Sequence, residues 1–457
     1  MIRYHARWVL PISSPPIRDG TVAELGGRIV YVGPRHDAPD APDGADRDLG
    51  NCALIPGLVN AHTHLELTVF RGLLEDLSFR EWIVRLQGMK VAVMTPERFL
   101  DSARFGIAEG VRAGITTYAD TCDSGMVLEA MRERGVRGIM YQEVFSPSAD
   151  PNAVREAAAR LAEQLARHDV FETELQHVGV SPHAPYTVSD PLFALVARSG
   201  RRIAIHIAES DAEHRFACEG EGPFADAHRA RGFPVAPRAT SPIALLGKLG
   251  VLDAHPLLIH CVRVSDSDIA AIAKSKSTVA HCPISNAKLG HGIAPVLELL
   301  DAGIAVGIGS DSMAANNRMH LLEESRAAVL AQRVRAAQSD ALPAARALEL
   351  ATLGGARALG LEGRVGSLEV GKEADLAAFD LSSLAGSADA DPESALIFAL
   401  GAEPAKFVAV AGIPKVWNWE LLNEDLDLHG RVQKISEALE AGWPVIKASS
   451  ARWETAE

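Results

Sequence analysis

The sequence predicts an α/β fold, a (β/α)8 TIM-type barrel, and three observations support that prediction. Short runs of Val, Ile, Leu and Ala recur through the middle of the chain. Amphipathic stretches, such as residues 96–114 and 151–168, separate these runs and have the periodicity of helices. The apolar runs do not alternate with polar residues, which indicates parallel strands buried on both faces.

Eight apolar runs can be counted, and eight strand–helix units are what a closed barrel requires. We therefore expect the barrel to span residues 54–350. The predicted strands cover residues 53–60, 115–120, 136–143, 175–182, 202–209, 256–262, 277–282 and 304–310.

The two flanks of the chain differ from its middle. Residues 1–53 and 351–429 hold short alternating pieces that are interrupted by Gly, Pro and Asp. Neither flank has enough strands to bury a core by itself, so we expect both to combine in one small β-sandwich. Residues 430–457 have a helical pattern, and we expect them to form a C-terminal helical tail on the surface.

The composition excludes several classes of partner. The formal net charge is −14 and no dense Lys/Arg run occurs, so nucleic acid and anionic membranes are poor candidates. No apolar stretch reaches the roughly 18 residues of a membrane span, and the N-terminal apolar run is too short for a signal peptide. The five cysteines have no C-x-x-C spacing, which favours a reducing compartment. We expect a cytoplasmic protein that acts on a small molecule, with homo-oligomerisation left open.

The segment NAHTHLELT, residues 60–68, places His62 and His64 two residues apart at the end of the first predicted strand. Side chains two residues apart in a strand point to the same face. Neutral imidazoles that face the same way are suitable ligands for zinc, iron or nickel. A chain with 16 histidines can also contain such a pair by chance, so a metal site requires further ligands.

Further polar residues lie at the ends of other predicted strands. The C-terminal ends of the strands in such a barrel face one mouth, where active sites are built. A single histidine at a strand end is commonly structural, but the convergence of several such residues indicates a functional site. These residues are His183, His206, Glu209, His260, His281 and Asp311.

The motifs of this sequence resemble those of the amidohydrolase superfamily. The resemblance rests on PGLVNAHTHLE, SPHAPY, HIAES, HCPISNAKLGHGIAPV, GIGSDSMAANN and GSLEVGKEADL. The sequence is most similar to the branch that contains S-adenosylhomocysteine and methylthioadenosine deaminases, aminodeoxyfutalosine deaminases and triazine chlorohydrolases. The resemblance implies one divalent metal ion per chain, zinc or iron, held by His62, His64, His206 and Asp311. The predicted fourth strand lacks the lysine that bridges two metals in other members, which favours a single ion.

The resemblance also implies catalytic roles. Glu209 would act as general acid toward a ring nitrogen while a metal-activated water attacks the amine-bearing carbon. Asp311 would take a proton from that water, and His260 would orient the water or polarise the leaving group. His183 is expected to hydrogen-bond the substrate ring, although SPHAPY is also a rigid turn. Trp82 is a candidate for stacking on the substrate, with an ordinary core position as the alternative.

The loop after the seventh predicted strand contains further polar residues. We expect His281 to hold loop structure or to line the pocket. Ser285 and Asn286 are expected to fix the loop, and the sequence gives no basis for assigning His291.

One position departs from the related nucleoside deaminases. In these relatives, the segment after the tryptophan that corresponds to Trp82 carries a glutamate that holds the ribose hydroxyls. An alignment without gaps places Val91 at that position, and the next carboxylate is Glu97. We therefore expect weak discrimination between ribosides and their deoxy analogues, unless Glu97 supplies the missing contact.

Three functions are compatible with the sequence. The leading hypothesis is a metal-dependent aminohydrolase that deaminates an aminated heteroaromatic ring, such as aminodeoxyfutalosine, S-adenosylhomocysteine or methylthioadenosine. The first alternative is a chlorohydrolase-type displacement on an s-triazine. The second alternative is a non-catalytic scaffold, which the complete set of candidate ligands and Glu209 disfavours.

Overall fold

The computed structural model describes residues 1–42, 45–384 and 391–454, and of residues 443–454 it describes the helical backbone alone. The last three residues of the expected tail thus lie outside the described part. The strands are β1 (Ile2–Val9), β2 (Ile17–Leu25), β3 (Arg28–Pro34), β4 (Asp46–Asp48), β5 (Cys52–Pro56), β6 (Leu58–Thr63), β7 (Ile115–Cys122), β8 (Arg137–Val144), β9 (Gln176–Pro182), β10 (Ala204–Ile207), β11 (Leu257–His260), β12 (Thr278–His281), β13 (Val306–Ile308), β14 (Leu376–Asp380), β15 (Phe407–Val410), β16 (Ile413–Trp417) and β17 (Glu420–Leu421).

Helices fill the connections between the central strands, and several begin at a residue that caps the helix. Ser78 accepts a hydrogen bond from the Glu81 backbone N–H, and the Glu81 side chain bonds back to Ser78. The α-helices are α1 (Phe79–Val93), α2 (Pro96–Arg112), α3 (Met126–Arg134), α4 (Pro151–Asp169), α5 (Asp190–Ala197), α6 (Asp211–Cys218), α7 (Pro223–Ala230), α8 (Pro242–Lys248), α9 (Asp266–Ser275), α10 (Pro283–Lys288), α11 (Val296–Asp301), α12 (Met313–Asn316), α13 (Leu321–Ala336), α14 (Ala344–Glu349), α15 (Gly355–Ala358), α16 (Pro392–Ser394) and α17 (Leu428–Glu454).

The eight central strands form two four-stranded parallel sheets, in the orders β6-β7-β8-β9 and β10-β11-β12-β13. Isolated parallel bridges join Val180 to Ile203 and Thr63 to Asp311. The edges of the two sheets therefore meet on both sides, and the strands follow one another around a ring. Every residue of β6, β7 and β8 is buried, as the absence of alternation in the sequence predicts.

The first predicted strand, residues 53–60, spans parts of two strands. β5 pairs with β1 and β14 in the flanking sheet, and β6 begins the central ring only after Gly57. A Cβ atom at Gly57 would lie 2.2 Å from Thr116 Oγ1, so no larger residue fits at this junction. A continuous apolar run concealed the change of sheet, because both strands are buried and neither alternates.

Both ends of the chain contribute to one flanking sheet. Its order is β17-β16-β15-β14-β5-β1-β2-β3, and β4 pairs with β1. The rings of Tyr4 in β1 and Phe407 in β15 lie 4.8 Å apart between centroids. In a flat sheet these strands would be about 14 Å apart, because neighbouring strands are spaced by about 4.8 Å. The sheet therefore curls so that one face encloses its own apolar side chains.

A buried ionic contact joins the central ring to the flanking sheet. Arg137, the first residue of β8, is only 1% exposed. Its Nε donates to Asp375 Oδ2 at 3.1 Å and its Nη2 donates to Asp375 Oδ1 at 3.0 Å. The same Nη2 donates to Glu373 Oε2 at 2.5 Å. The pairing compensates a guanidinium that would otherwise be costly to bury.

The C-terminal helix α17 packs one face against α1 and exposes the other, as expected for a surface helix. Val432, Ile435 and Leu439 are buried in one apolar cluster with Leu86 and Met89 of α1. No helix in the described part of the chain combines the length and apolar character needed to cross a bilayer.

Candidate metal centre and active site

The polar residues expected at the strand ends lie together at one end of the ring. His62 is in β6, and His64 directly follows that strand. His206 is in β10, and Asp311 lies three residues after β13. The backbone of Asp311 has a φ of 56°, a left-handed conformation in which the chain turns sharply as it leaves the strand.

The donor atoms of these four residues converge. His62 Nε2 lies 3.4 Å from Asp311 Oδ1, and His64 Nε2 lies 3.7 Å from the same oxygen. His64 Nε2 and His206 Nε2 are 3.2 Å apart. The three histidines form one group, and His62, His260 and Asp311 form another, each with all its candidate ligand atoms within 4.8 Å of one another. His62, His64, His206 and Asp311 could therefore hold one ion.

The protonation state of these residues fits a metal centre. Burial lowers the pKa of His62, and it lowers the pKa of His64 and His206 well below the usual range, so all three are neutral. Burial alone would raise the pKa of Asp311, but His62 and its neighbours outweigh burial and keep it a carboxylate. Among the described residues, His62 Nε2 is buried without a hydrogen-bond partner. Three neutral imidazoles and a carboxylate suit a divalent ion with one position left for water.

Neighbouring groups orient these ligands. His206 Nδ1 lies 3.3 Å from the carbonyl oxygen of His183, and donation there leaves the Nε2 lone pair facing His64. Ser285 Oγ donates to Asp311 Oδ2 at 2.5 Å, and the backbone N–H of Ser312 donates to Oδ1 at 2.6 Å. The sequence indicated only a loop-fixing role for Ser285, and its contact with Asp311 was missed.

Glu209 lies beside two histidines at the inner end of the cavity. Its Oε1 is 3.5 Å from His260 Nε2 and 3.3 Å from His291 Nε2. Burial would raise the pKa of Glu209, but these histidines outweigh burial and lower it. The Glu213 carboxylate accepts hydrogen bonds from the backbone N–H groups of Ala208, at 2.9 Å, and Glu209, at 2.8 Å. The turn that carries Glu209 is thereby fixed.

His260 is held in one orientation. Its Nδ1 donates to Asn286 Oδ1 at 2.9 Å, which turns its Nε2 toward Glu209 Oε1, 3.5 Å away. The contact between Glu209 and His260 is favourable when one proton lies between them. The pair can therefore store and pass on a proton. The sequence placed Asn286 in a loop, whereas it lies in α10. It left His291 unassigned, because a polar residue gives no local signal of a partner that is distant along the chain.

A cavity of about 400 Å³ lies over these groups. His183 and Trp82 both line it, as expected for substrate-binding residues. His183 Nδ1 contacts Thr187 Oγ1 at 2.9 Å, and burial lowers the pKa of His183 to about 4. Trp82 Nε1 donates to the Ala314 carbonyl at 3.3 Å, which fixes the indole ring. Two larger hollows, of about 600 and 710 Å³, lie among outer elements and contain none of the strand-end histidines.

His281 lies outside this cavity. It is buried at the end of β12, and it is not among the described residues that line the cavity. Burial, together with the nearby His260, lowers the pKa of His281 to about 3. Neither of its ring nitrogens has a hydrogen-bond partner among the described residues, so its expected role in holding the loop stays a prediction.

The cavity also contains charged residues that the sequence did not reveal. Glu66, Lys90, Asp123 and Glu143 all line it. Val91, the residue aligned with the ribose-binding glutamate of the relatives, is 87% exposed.

Glu97 does not take over that role. It is exposed and accepts a hydrogen bond from Thr95 at 2.8 Å. Glu97 is not among the described residues that line the cavity, whereas Glu143 reaches it from β8.

Comparison with known proteins agrees with this geometry. Residues 53–415 match the amidohydrolase family. The chain is 34% identical over 407 residues to the 5-methylthioadenosine/S-adenosylhomocysteine deaminase of Moorella thermoacetica, covering 88% of this chain and 91% of that protein. It is 30% identical over 419 residues to the 5'-deoxyadenosine deaminase of Methanopyrus kandleri, covering 89% and 91%.

The same agreement holds for three-dimensional structure. An adenosine deaminase from Xanthomonas campestris, crystallised with bound zinc, superposes with a TM-score of 0.85 at 31% identity. The superposition covers 96% of this chain and 98% of that chain. The chain belongs to the amidohydrolase family, and the resemblance inferred from its motifs is confirmed.

Proposed function

We propose that this protein is a metal-dependent aminohydrolase that releases ammonia from the aminated ring of an adenine-like nucleoside. The observation that carries the proposal is the convergence of His62, His64, His206 and Asp311 beside Glu209 in one buried cavity. The names of the relatives, which are deaminases of methylthioadenosine, S-adenosylhomocysteine and 5'-deoxyadenosine, support the substrate class.

The four converging residues would hold one divalent ion per chain. Zinc is the best candidate, since a zinc-containing relative superposes on the chain, and iron has the same ligand preferences. When bound, the ion would lower the pKa of a water molecule to about 7 and so supply a nucleophile at neutral pH.

The protein's own groups would manage the protons. Asp311 accepts a proton through its carboxylate, which Ser285 and the Ser312 N–H hold in place. Glu209 would share a proton with His260, which it contacts, and would donate this proton to the ring nitrogen of the substrate. Protonation of the ring makes its amine-bearing carbon more electrophilic and so favours attack.

Two further residues would bind the ring. His183, with Nδ1 engaged by Thr187, has its second ring nitrogen available for a substrate atom. Trp82, fixed by its bond to Ala314, would stack on the aromatic ring. We regard these as binding residues without a part in proton transfer.

The domain organisation is part of the same proposal. Residues 54–350 form a (β/α)8 barrel that carries the site, supported by the bridges that close the ring of strands. Residues 1–53 and 351–429 are assigned to a small β-sandwich, supported by the curling of the flanking sheet in its described residues. Residues 430–457 are assigned to a C-terminal tail, which is helical in its described part. A cytoplasmic location and homo-oligomerisation stay predictions.

A screen for released ammonia tests the proposed function. Metal-replete protein is incubated with aminopurines, their nucleosides and aminopyrimidines, and with a chlorotriazine assayed for chloride. We expect ammonia from adenine nucleosides, far less from Glu209→Gln, and unchanged activity from the control Glu97→Gln, whose carboxylate is exposed and outside the cavity. Chloride release without ammonia would favour the triazine alternative, and inactivity on every compound would favour a non-catalytic scaffold.

A further inference from the structure

Glu143 is a buried carboxyl group with an unused oxygen. It lies near the end of β8, is 6% exposed, and lines the cavity. In the part of the chain that the structure describes, its Oε1 has no hydrogen-bond partner. A buried acceptor of this kind costs free energy unless a ligand supplies the missing donor.

Glu66, a second carboxylate that lines the cavity, already has hydrogen-bond partners. Glu66 accepts hydrogen bonds from the backbone N–H groups of Asp123, at 3.3 Å, and Ser124, at 3.1 Å, and from the Ser124 hydroxyl. These contacts order the loop after β7 and leave Glu66 engaged. Of Glu66 and Glu143, Glu143 is therefore the one with an oxygen that no described residue hydrogen-bonds.

Lys90 places a positive charge beside Glu66 and Asp123, which line the cavity together with Glu143. Lys90 is 9% exposed, and its Nζ lies 3.5 Å from Glu66 Oε1 and 3.6 Å from Asp123 Oδ2. It lines the cavity, and its charge lowers the pKa of Glu143 against the larger rise caused by burial, so that the pKa of Glu143 is about 8. With this pKa, the Glu143 carboxyl group is largely protonated at neutral pH. Together with the Lys90 ammonium group it offers both donors and acceptors to a ligand.

A second metal ion is the competing occupant, because Glu143, His183 and His206 have candidate ligand atoms within 4.8 Å of one another. The ring nitrogens argue against it. His206 Nδ1 faces the His183 carbonyl at 3.3 Å and its Nε2 faces His64 at 3.2 Å. A dication here would also lie close to the positive charge of Lys90, which opposes its binding.

We propose that Glu143 and Lys90 form the sugar-binding wall of this site and recognise the vicinal hydroxyl groups of a ribose. Each hydroxyl can donate to the Glu143 carboxyl group and accept from the Lys90 ammonium. Around the ring of strands, Glu143 on β8 lies on one side of His183 and Glu209, after β10, lies on the other. A nucleoside with its base toward Glu209 would thus present its sugar to Glu143.

This inference rests on the proposed function and replaces the expectation of weak riboside discrimination. The contact that the relatives make from the position of Val91 is supplied here from a different element, since Val91 points to solvent.

The test measures kcat/KM for methylthioadenosine and for its 2'-deoxy and 3'-deoxy analogues. We expect the wild-type protein to prefer the riboside by roughly tenfold to 100-fold, as for the loss of a hydrogen bond to a charged group. Glu143→Met, which removes the acceptor, should bring the preference to within about threefold, and Glu143→Gln should lie between. The ratio compares substrates within one preparation, so a smaller folded fraction does not affect it.

Glu97→Gln and Val91→Glu are the matched controls, because both positions lie outside the cavity and should leave the preference unchanged. A wild-type protein that treats riboside and deoxy analogues alike, or Glu143→Met with the wild-type preference, would overturn the inference while leaving deamination intact. Loss of a second metal equivalent in Glu143→Met would overturn it in favour of a metal site. Absence of ammonia from every compound would instead refute the proposed function.

Discussion

Strand β8 carries two buried charged residues with opposite surroundings. Arg137 begins the strand, and its Nε and Nη2 atoms bond to Asp375 and Glu373 of the flanking sheet region. Glu143 lies six residues later, about 20 Å along the strand, with an oxygen that no described residue satisfies. One strand thus holds a guanidinium paired with two carboxylates at one end and a carboxyl group with an unpaired oxygen at the other.

The two ends of β8 are expected to serve different purposes, with Arg137 stabilising the fold and Glu143 meeting a ligand. The charge of Arg137 is neutralised by two carboxylates and connects two sheets, so its removal should affect folding first. Glu143, in the cavity, is held by the surrounding structure although no described residue hydrogen-bonds its Oε1. A buried polar group that lacks a hydrogen-bond partner is unfavourable, and such groups are expected at sites where a bound ligand supplies the missing partner.

The largest effect is expected from removing a proposed metal ligand. In Asp311→Ala, the metal content should fall from about one divalent ion per chain to well below one, and deamination should fall to background. Elemental analysis and an ammonia assay measure both quantities. Two equivalents in the wild-type protein, or an Asp311→Ala variant with full metal content, would contradict the single four-ligand centre.

The next effect concerns the proton donor. Glu209→Gln keeps the size of the side chain but removes the transferable proton, so kcat should fall by a factor on the order of 10²–10⁴. Its metal content should stay at the wild-type level, which distinguishes this variant from Asp311→Ala. Turnover near that of the wild type would show that Glu209 is not the donor.

The other end of β8 should show the reverse pattern. Arg137→Met leaves Asp375 and Glu373 without their cation and should lower the free energy of unfolding by about 3–5 kcal/mol. The control Arg167→Met breaks an exposed pair with Glu163 and should cost less than about 1 kcal/mol. Urea unfolding measures both variants, and kcat/KM of the folded protein should not change. If both substitutions lowered the free energy of unfolding equally, the buried contact would stabilise the protein no more than the exposed pair does.

The pH dependence of the Arg137 contact has a definite sign. Burial raises the pKa of Glu373, but Arg137 and Arg364 outweigh burial and lower it. A carboxyl group with a lowered pKa in the folded protein stabilises it above the ordinary pKa of glutamate, about 4.3. That stabilisation is lost as the pH falls through the folded-state pKa. The stability gap between the wild type and Arg137→Met should therefore narrow in acid, and a gap that widens in acid would refute this.

The smallest effect is expected at Trp82. Trp82→Phe keeps an aromatic ring in the cavity but loses the bond to Ala314, so KM should rise by less than about tenfold with little change in kcat. Steady-state kinetics measures this, with the variant Trp82→Leu, which has no ring, expected to show a larger rise. Unchanged KM in both variants would return Trp82 to an ordinary core position.

Strand periodicity predicted that polar residues would meet at one mouth, and the family resemblance selected four of them as expected metal ligands. His62 and His64 are two residues apart, and His206 and Asp311 lie at other strand ends that a ring of parallel strands brings to one mouth. The remaining features depend on packing between distant segments. Glu143, in β8, gave no sign that its carboxylate would face the cavity.

The same limit explains the other differences between sequence and structure. Ser285 was assigned to a loop, although its hydroxyl reaches Asp311, because a short polar segment does not reveal its contacts across the ring. The apolar run at residues 53–60 concealed two strands, since Gly57 separates two elements that are both fully buried. Sequence periodicity identifies the strands and helices and the face that each of them buries. Which residues on two such faces contact each other can be read only from the folded structure.

The most direct test of the central claim follows the fate of the amine in water enriched in ¹⁸O. Metal-replete protein acts on an adenine nucleoside, and mass spectrometry and an ammonia assay are applied to the same sample. Hydrolytic deamination predicts one ¹⁸O atom at the former amine-bearing carbon and one ammonia per product molecule, with both formed at a rate lower by a factor on the order of 10²–10⁴ in Glu209→Gln. Product that lacks the label, or ammonia formed equally by Glu209→Gln, would contradict hydrolysis at this site.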